Sequence, residues 1–131
     1  MKDKEKTLAI IVYNSFHAPG VNFLTPGEFS QQLAYISHPT GKKIDAHMHH
    51  PVSRTIQFTQ EVLIIKRGSM RVDFFDNERR FIESRVLSSG DVILLASGGH
   101  GFEMLEETVL IEVKQGPYAG DKDKTKFVPK L

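Results

Sequence analysis

Apolar residues along this chain recur in short runs, each closed by turn-forming residues. Thr7–Tyr13, Gln32–Ile36, Lys43–His49, Glu61–Lys66, Met70–Phe75, Phe81–Leu87, Asp91–Leu95 and Val109–Val113 are rich in Val, Ile, Leu, Phe and Tyr, the types that suit a pleated, half-buried surface. Arg67-Gly68-Ser69, Asp76-Asn77-Glu78 and Ser88-Ser89-Gly90 separate several of them as hairpin turns. Many short strands at regular spacing predict an all-β sandwich or barrel. The single helical candidate is one turn near the N-terminus at Thr25-Pro26-Gly27-Glu28-Phe29, where threonine caps, proline takes the first helical position and Glu28 lies three residues after the cap.

Parity sharpens the picture. Alternate residues of a strand face opposite ways, so Leu63 and Ile65 share a face with Glu61 while Val62 and Ile64 point away from it. Both faces are apolar. The same holds for Lys43–His49, where Ile44, Ala46 and Met48 oppose His47 and His49. A lone barrel covers only its inner face. The outer face therefore calls for the N-terminal strand, a second sheet or another subunit, and the expectation is a homodimer.

The 131 residues, 40% of them hydrophobic and 25% charged, fit one domain over 1–131 with one core. A formal net charge of +1 gives no electrostatic reason for a nucleic-acid or anionic-membrane partner. The apolar runs are too short to span a bilayer, and the mixed-charge start Met1-Lys2-Asp3-Lys4-Glu5-Lys6 does not read as a secretory signal, so the expected address is cytoplasmic. Without cysteine, neither a disulfide framework nor a thiolate zinc site can form, and any metal must be held by nitrogen and oxygen.

Candidate chemistry gathers around Gly41–His50. His47 and His49 are two apart, so on a strand their imidazoles project side by side, while His50 faces the other way. Neutral imidazole is the commonest protein ligand of a divalent cation. On this strand alone, a solvated polar face above Ile44, Ala46 and Met48 is the better reading.

The wider pattern resembles the cupin superfamily, whose first motif runs Gly, five residues, His-x-His, a short gap, Glu, six residues, Gly. Gly41, His47, His49, Glu61 and Gly68 supply its fixed positions, with a longer gap from His50 through Gln60. The second motif is matched more loosely by Gly90-Asp91, Gly98 and His100, with Ala96 and Met104 where the family has proline and asparagine and the histidine one residue early. Ile111–Tyr118 followed by Asp121–Lys124 is also similar to the tail of small cupin metalloproteins encoded beside cell-surface polysaccharide biosynthesis enzymes.

The resemblance implies a double-stranded β-helix, or jelly-roll barrel, with a divalent transition metal (Mn, Fe, Ni, Co or Zn) on His47, His49, Glu61 and His100. Three imidazoles and one carboxylate leave an octahedral ion two open positions, whereas four-coordinate zinc would keep none. The implied ligand is small, polar and carbohydrate-derived or related to a sugar nucleotide. The reaction class is open among isomerase, lyase and dioxygenase. Arg54 and Gln57 on the long insertion, with Tyr35, Arg71 and Glu103, are candidate substrate-binding residues, each equally readable as surface. Two other readings stand beside this one: a non-catalytic sugar-binding or sensing module, and a metal-free sugar epimerase or ketoisomerase in which a histidine is the general base.

Overall fold

The computed structural model describes residues 1–130, and they are all-β. In chain order the strands are β1 (Lys2–Asp3), β2 (Lys6–Thr7), β3 (Ala9–Val12), β4 (Gly20–Phe23), β5 (Ala34–Ser37), β6 (Glu61–Arg67), β7 (Ser69–Phe75), β8 (Phe81–Ser88), β9 (Val92–Leu95), β10 (Gly99–Met104) and β11 (Val109–Lys114). Two antiparallel sheets face one another, one of four strands ordered β11-β6-β9-β3 and one of three ordered β10-β7-β8. β4 pairs with β5, and β1 with β2, as separate two-stranded ribbons. Among the described residues no sheet closes on itself.

The two main sheets are joined by a shared core. Leu63, Ile65, Ile93 and Leu95 from the four-stranded sheet meet Met70, Val72, Phe74 and Leu87 from the three-stranded one. Ile65, Met70, Val72, Leu87 and Ile93 are wholly inaccessible, and each such side chain contributes roughly 1.5–3 kcal/mol by leaving water. Glu61 shares the inward parity of Leu63 and Ile65, as the alternation predicts.

Val62 and Ile64 point outward and join a second apolar cluster with Leu94 and Ala96. Phe29 and Leu33, on the connection between β4 and β5, pack against it. The outer face is thus covered in part by the chain's own connection.

The chain changes sheet at Gly68. Its φ is 95°, and a Cβ there would stand 2.8 Å from the Thr108 Cα, so the corner needs both the left-handed backbone and the missing side chain. The next change of sheet follows Gly90-Asp91. Asp91 is buried and accepts the backbone N–H groups of Asn14 and Ser88, both at 2.7 Å.

Two expectations are corrected. Lys43–His49 is not a strand: residues 38–60 form no regular element, and their apolar side chains Ile44, Met48 and Val52 are exposed. The alternation is there, but a strand also needs a neighbour to take its backbone hydrogen bonds, and this segment pairs with none. Thr25–Phe29 forms a turn in which the Phe29 N–H donates to the Pro26 carbonyl at 3.1 Å. Thr25 Oγ1 is engaged across the loop by Gln32 and the Leu33 N–H rather than capping a helix. The one helical turn among the described residues is 3-10, at Gly120–Lys122. Among the described residues no helix is long and apolar enough to cross a membrane.

Candidate functional site

Glu61 opens β6, Lys114 closes β11, Phe75 closes β7 and Gly99-His100 opens β10, so all four lie at one end of the sandwich. Glu61 and His100 both project inward there. The His100 Nε2 lies 2.9 Å from Glu61 Oε1, and the Glu61 and His100 side chains are only 14% and 29% exposed respectively. The Phe102 ring lies 5.4 Å from the imidazole.

The pairing of β6 with β11 sets Lys114 opposite Glu61 and Glu112 opposite Leu63. Glu112 and Lys114 therefore share the parity of Glu61. The carboxyl groups of Glu61 and Glu112 shift in opposite senses. The hydrogen bond from His100 holds Glu61 down to about 2, with further help from Glu112 and Lys114 against burial. The Glu112 carboxyl is pushed up, first by its hydrogen bond to Glu61 and then by burial. The ionised form of Glu61 is thus favoured and that of Glu112 disfavoured.

Lys114 Nζ also reaches Asp123 at 3.1 Å, and the Asp123 carboxylate accepts Thr59 Oγ1 at 2.6 Å. Glu112, Lys114, Thr59 and Asp123 were not among the expected site residues. β11 displays Val109, Ile111 and Val113 on one parity, which reads as its buried face. The structure does the reverse, leaving those three exposed and turning Glu112 and Lys114 toward Glu61. Only the register, which the sequence does not display, decides this.

The other expected residues are dispersed. His47 and His49 lie on the irregular segment, both exposed, with ring centroids 5.3 Å apart. His47 Nδ1 donates to the Asp45 carbonyl at 2.8 Å, which leaves Nε2 as its free donor atom for a ligand. His50 is exposed beside them. Arg71 is bound to Asp73 and to Glu103, at 2.9 and 2.8 Å, on the outward face of the three-stranded sheet. Arg71 and Glu103 thus form a surface ion pair on the face away from Glu61 and His100. Tyr35 meets His17 Nδ1 at 3.4 Å and the Phe16 ring edge-on. Gln57 lines a cavity of about 480 Å³ with Phe29, Phe58 and Gln60, and Arg54 is exposed.

Two donors held cis on an octahedral ion with bonds of about 2.1 Å stand about 3 Å apart. The Glu61–His100 separation fits that spacing. His47 and His49 are not brought to the pair, and among the described residues no three His, Cys, Asp or Glu side chains converge on one metal-sized point. Half of the expected donor set is assembled. Comparison with protein-family models, with curated proteins and with solved structures found no match to this chain.

Proposed function

We propose that the chain is a cupin-type protein that binds a divalent transition metal at the Glu61–His100 end of the sandwich, and beside it a small, polar, carbohydrate-derived ligand. The observation that carries this reading is the inward-facing Glu61–His100 pair at 2.9 Å, placed on two strands from opposite sheets. The way the chain passes from sheet to sheet between β6 and β11 supports a jelly-roll arrangement. His47 and His49, within the irregular stretch 38–60 that leads into Glu61, are the remaining donors of the set. Bound there, the ion would act as a Lewis acid toward a carbonyl or vicinal diol. The chain's own part is to hold Glu61 and His100 within 2.9 Å of each other on facing strands, with Glu112 and Lys114 on the same face as Glu61.

Metal-loaded protein should retain about one ion per chain. Glu61→Ala, His100→Ala, His47→Ala and His49→Ala should each lower that stoichiometry, while His50→Ala should leave it near wild type. Elemental analysis finding no retained ion after loading with Mn, Fe, Co, Ni and Zn overturns the metal reading.

One observation favours a second reading. His100 works with a single carboxylate partner, as a lone general base would in a metal-free sugar epimerase or ketoisomerase. Turnover of a hydroxy-carbonyl sugar that survives chelation but not His100→Ala would select it. A homodimer remains part of the proposal, supported by exposed Val21, Phe23 and Ile36 on one face of the β4–β5 ribbon. Sedimentation equilibrium at micromolar concentration should give twice the monomer mass.

A further inference from the structure

The segment after β11 crosses the same end of the sandwich that holds Glu61 and His100. On the four-stranded sheet it is fastened by Asp123, whose carboxylate accepts Thr59 Oγ1 at 2.6 Å and pairs with Lys114 at 3.1 Å. The Asp123 side chain is 14% exposed, while the Lys114 ammonium arm is 33% exposed and so within reach of a ligand from solvent. On the three-stranded sheet it is fastened by Phe127. That ring stands edge-on to Phe75 at 5.4 Å, lies under the Arg79 guanidinium at 5.6 Å, and occupies the space above Gly99, where a Cβ would come within 2.8 Å of it. Beyond it the Lys130 N–H donates to the Arg79 carbonyl at 2.9 Å.

Asp123 and Phe127 are four positions apart, a span of at most about 14 Å, while packed sheets stand about 10 Å apart. The chain between them has little slack and must pass across the gap between the sheets. Gly99, against which Phe127 sits, immediately precedes His100, and Lys114, to which Asp123 is bound, lies opposite Glu61. The segment therefore straps the mouth of the site.

The two fastenings differ in kind. Phe127 is held by apolar contact that no small polar ligand replaces. Asp123 is held by an ammonium and a hydroxyl, groups that an anion or a sugar hydroxyl engages equally well. We propose that residues 116–130 gate the Glu61–His100 site, with Asp123 as the latch and Phe127 as the fixed anchor, and that the ligand bears an anionic group that takes the place of Asp123 on Lys114. This rests on the site being where the proposed function puts it, and adds Lys114 and Asp123 as the residues that select an anion-bearing ligand.

Labelling of histidines with diethylpyrocarbonate, followed by peptide mass spectrometry on chelator-treated protein, tests the gate without metal or ligand. His47, His49 and His50 are exposed and serve as internal controls. Asp123→Ala should raise the labelling rate of His100 several-fold and leave the controls unchanged, and Thr59→Val, which removes one of the two bonds, should raise it less. Equal His100 rates in wild type and both variants overturn the gate. For the ligand class, Lys114 in Asp123→Ala should be acetylated more slowly when millimolar inorganic phosphate is added, and an unchanged rate overturns the anion assignment. A protein that never retains metal yet shows the protected His100 would lose the metal reading and keep the strap.

Discussion

Replacing His100 with alanine isolates what the imidazole does for Glu61. In the wild-type protein the Glu61 carboxyl sits near 2 rather than at its ordinary 4.5, chiefly because His100 donates to it. A depressed carboxylate contributes stability that is present above its unfolded value and is lost as pH falls through its folded value. The window is therefore about 4.5 down to 2. At 1.36 kcal/mol per unit the shift corresponds to about 3 kcal/mol, but Glu61 is partly solvated, so screening leaves roughly 1–2 kcal/mol. Glu112 works in the opposite sense, because its raised carboxyl costs stability as pH rises past its ordinary value. In His100→Ala the main cause of the depression is gone while burial of Glu61 remains. The variant should thus be about 1–2 kcal/mol less stable at pH 7, a urea midpoint lowered by about half a molar or more. The gap should narrow as pH falls toward 3. Lost packing against Phe102 is independent of pH, so the narrowing reports the Glu61 interaction alone. Urea titrations of chelator-treated protein at pH 7, 5 and 3 measure it, and a gap that stays constant over this range refutes the reasoning.

Three further outcomes follow from the packing and the turns. Ile65→Ala empties a wholly buried position between the sheets and should cost about 2–5 kcal/mol in chemical denaturation, without altering metal stoichiometry. Gly68→Ala places a methyl group against Thr108 at a φ of 95° and should cost at least about 1–3 kcal/mol, read as a lowered melting temperature. Asp91→Ala leaves the N–H groups of Asn14 and Ser88 without their acceptor and should cost about 1–3 kcal/mol, most clearly seen as faster amide exchange at those two positions.

Much of the strand pattern is readable because burial imposes it. Glu61 through Lys66 displays two apolar faces, and the structure buries both, one between the sheets and one beneath Phe29 and Leu33. β10 escapes notice because Gly99-His100-Gly101 carries two glycines and no branched residue. It is made a strand by its full pairing with β7 from Met70 to Phe75, a tertiary effect that local propensity does not contain. Lys43–His49 is the converse, a sequence with strand alternation and no paired neighbour. At the site, Glu61 and His100 are legible through the spacing that resembles the cupin motifs. Glu112 and Lys114 are hidden because Val109, Ile111 and Val113 look like the buried face of their strand. The register with β6 reverses that reading.

The repeated passage between sheets also constrains the order in which the molecule can assemble. β7 and β8 are consecutive and pair directly, so their hairpin needs only a short loop to close. β6 has no such partner: both of its neighbours, β9 and β11, are synthesised after that hairpin and pair with it only over long sequence separations. Loop closure of this kind is entropically expensive and slow. The β7–β8 hairpin should therefore be protected first during refolding, with β6 acquiring its partners later and β3, which must reach across to β9, last. On the ribosome, Glu61 emerges early but waits for His100 and then for Glu112 before its surroundings exist. A nascent chain arrested before Val109 would expose the apolar edge of β6, making that interval the one in which this protein most needs a chaperone.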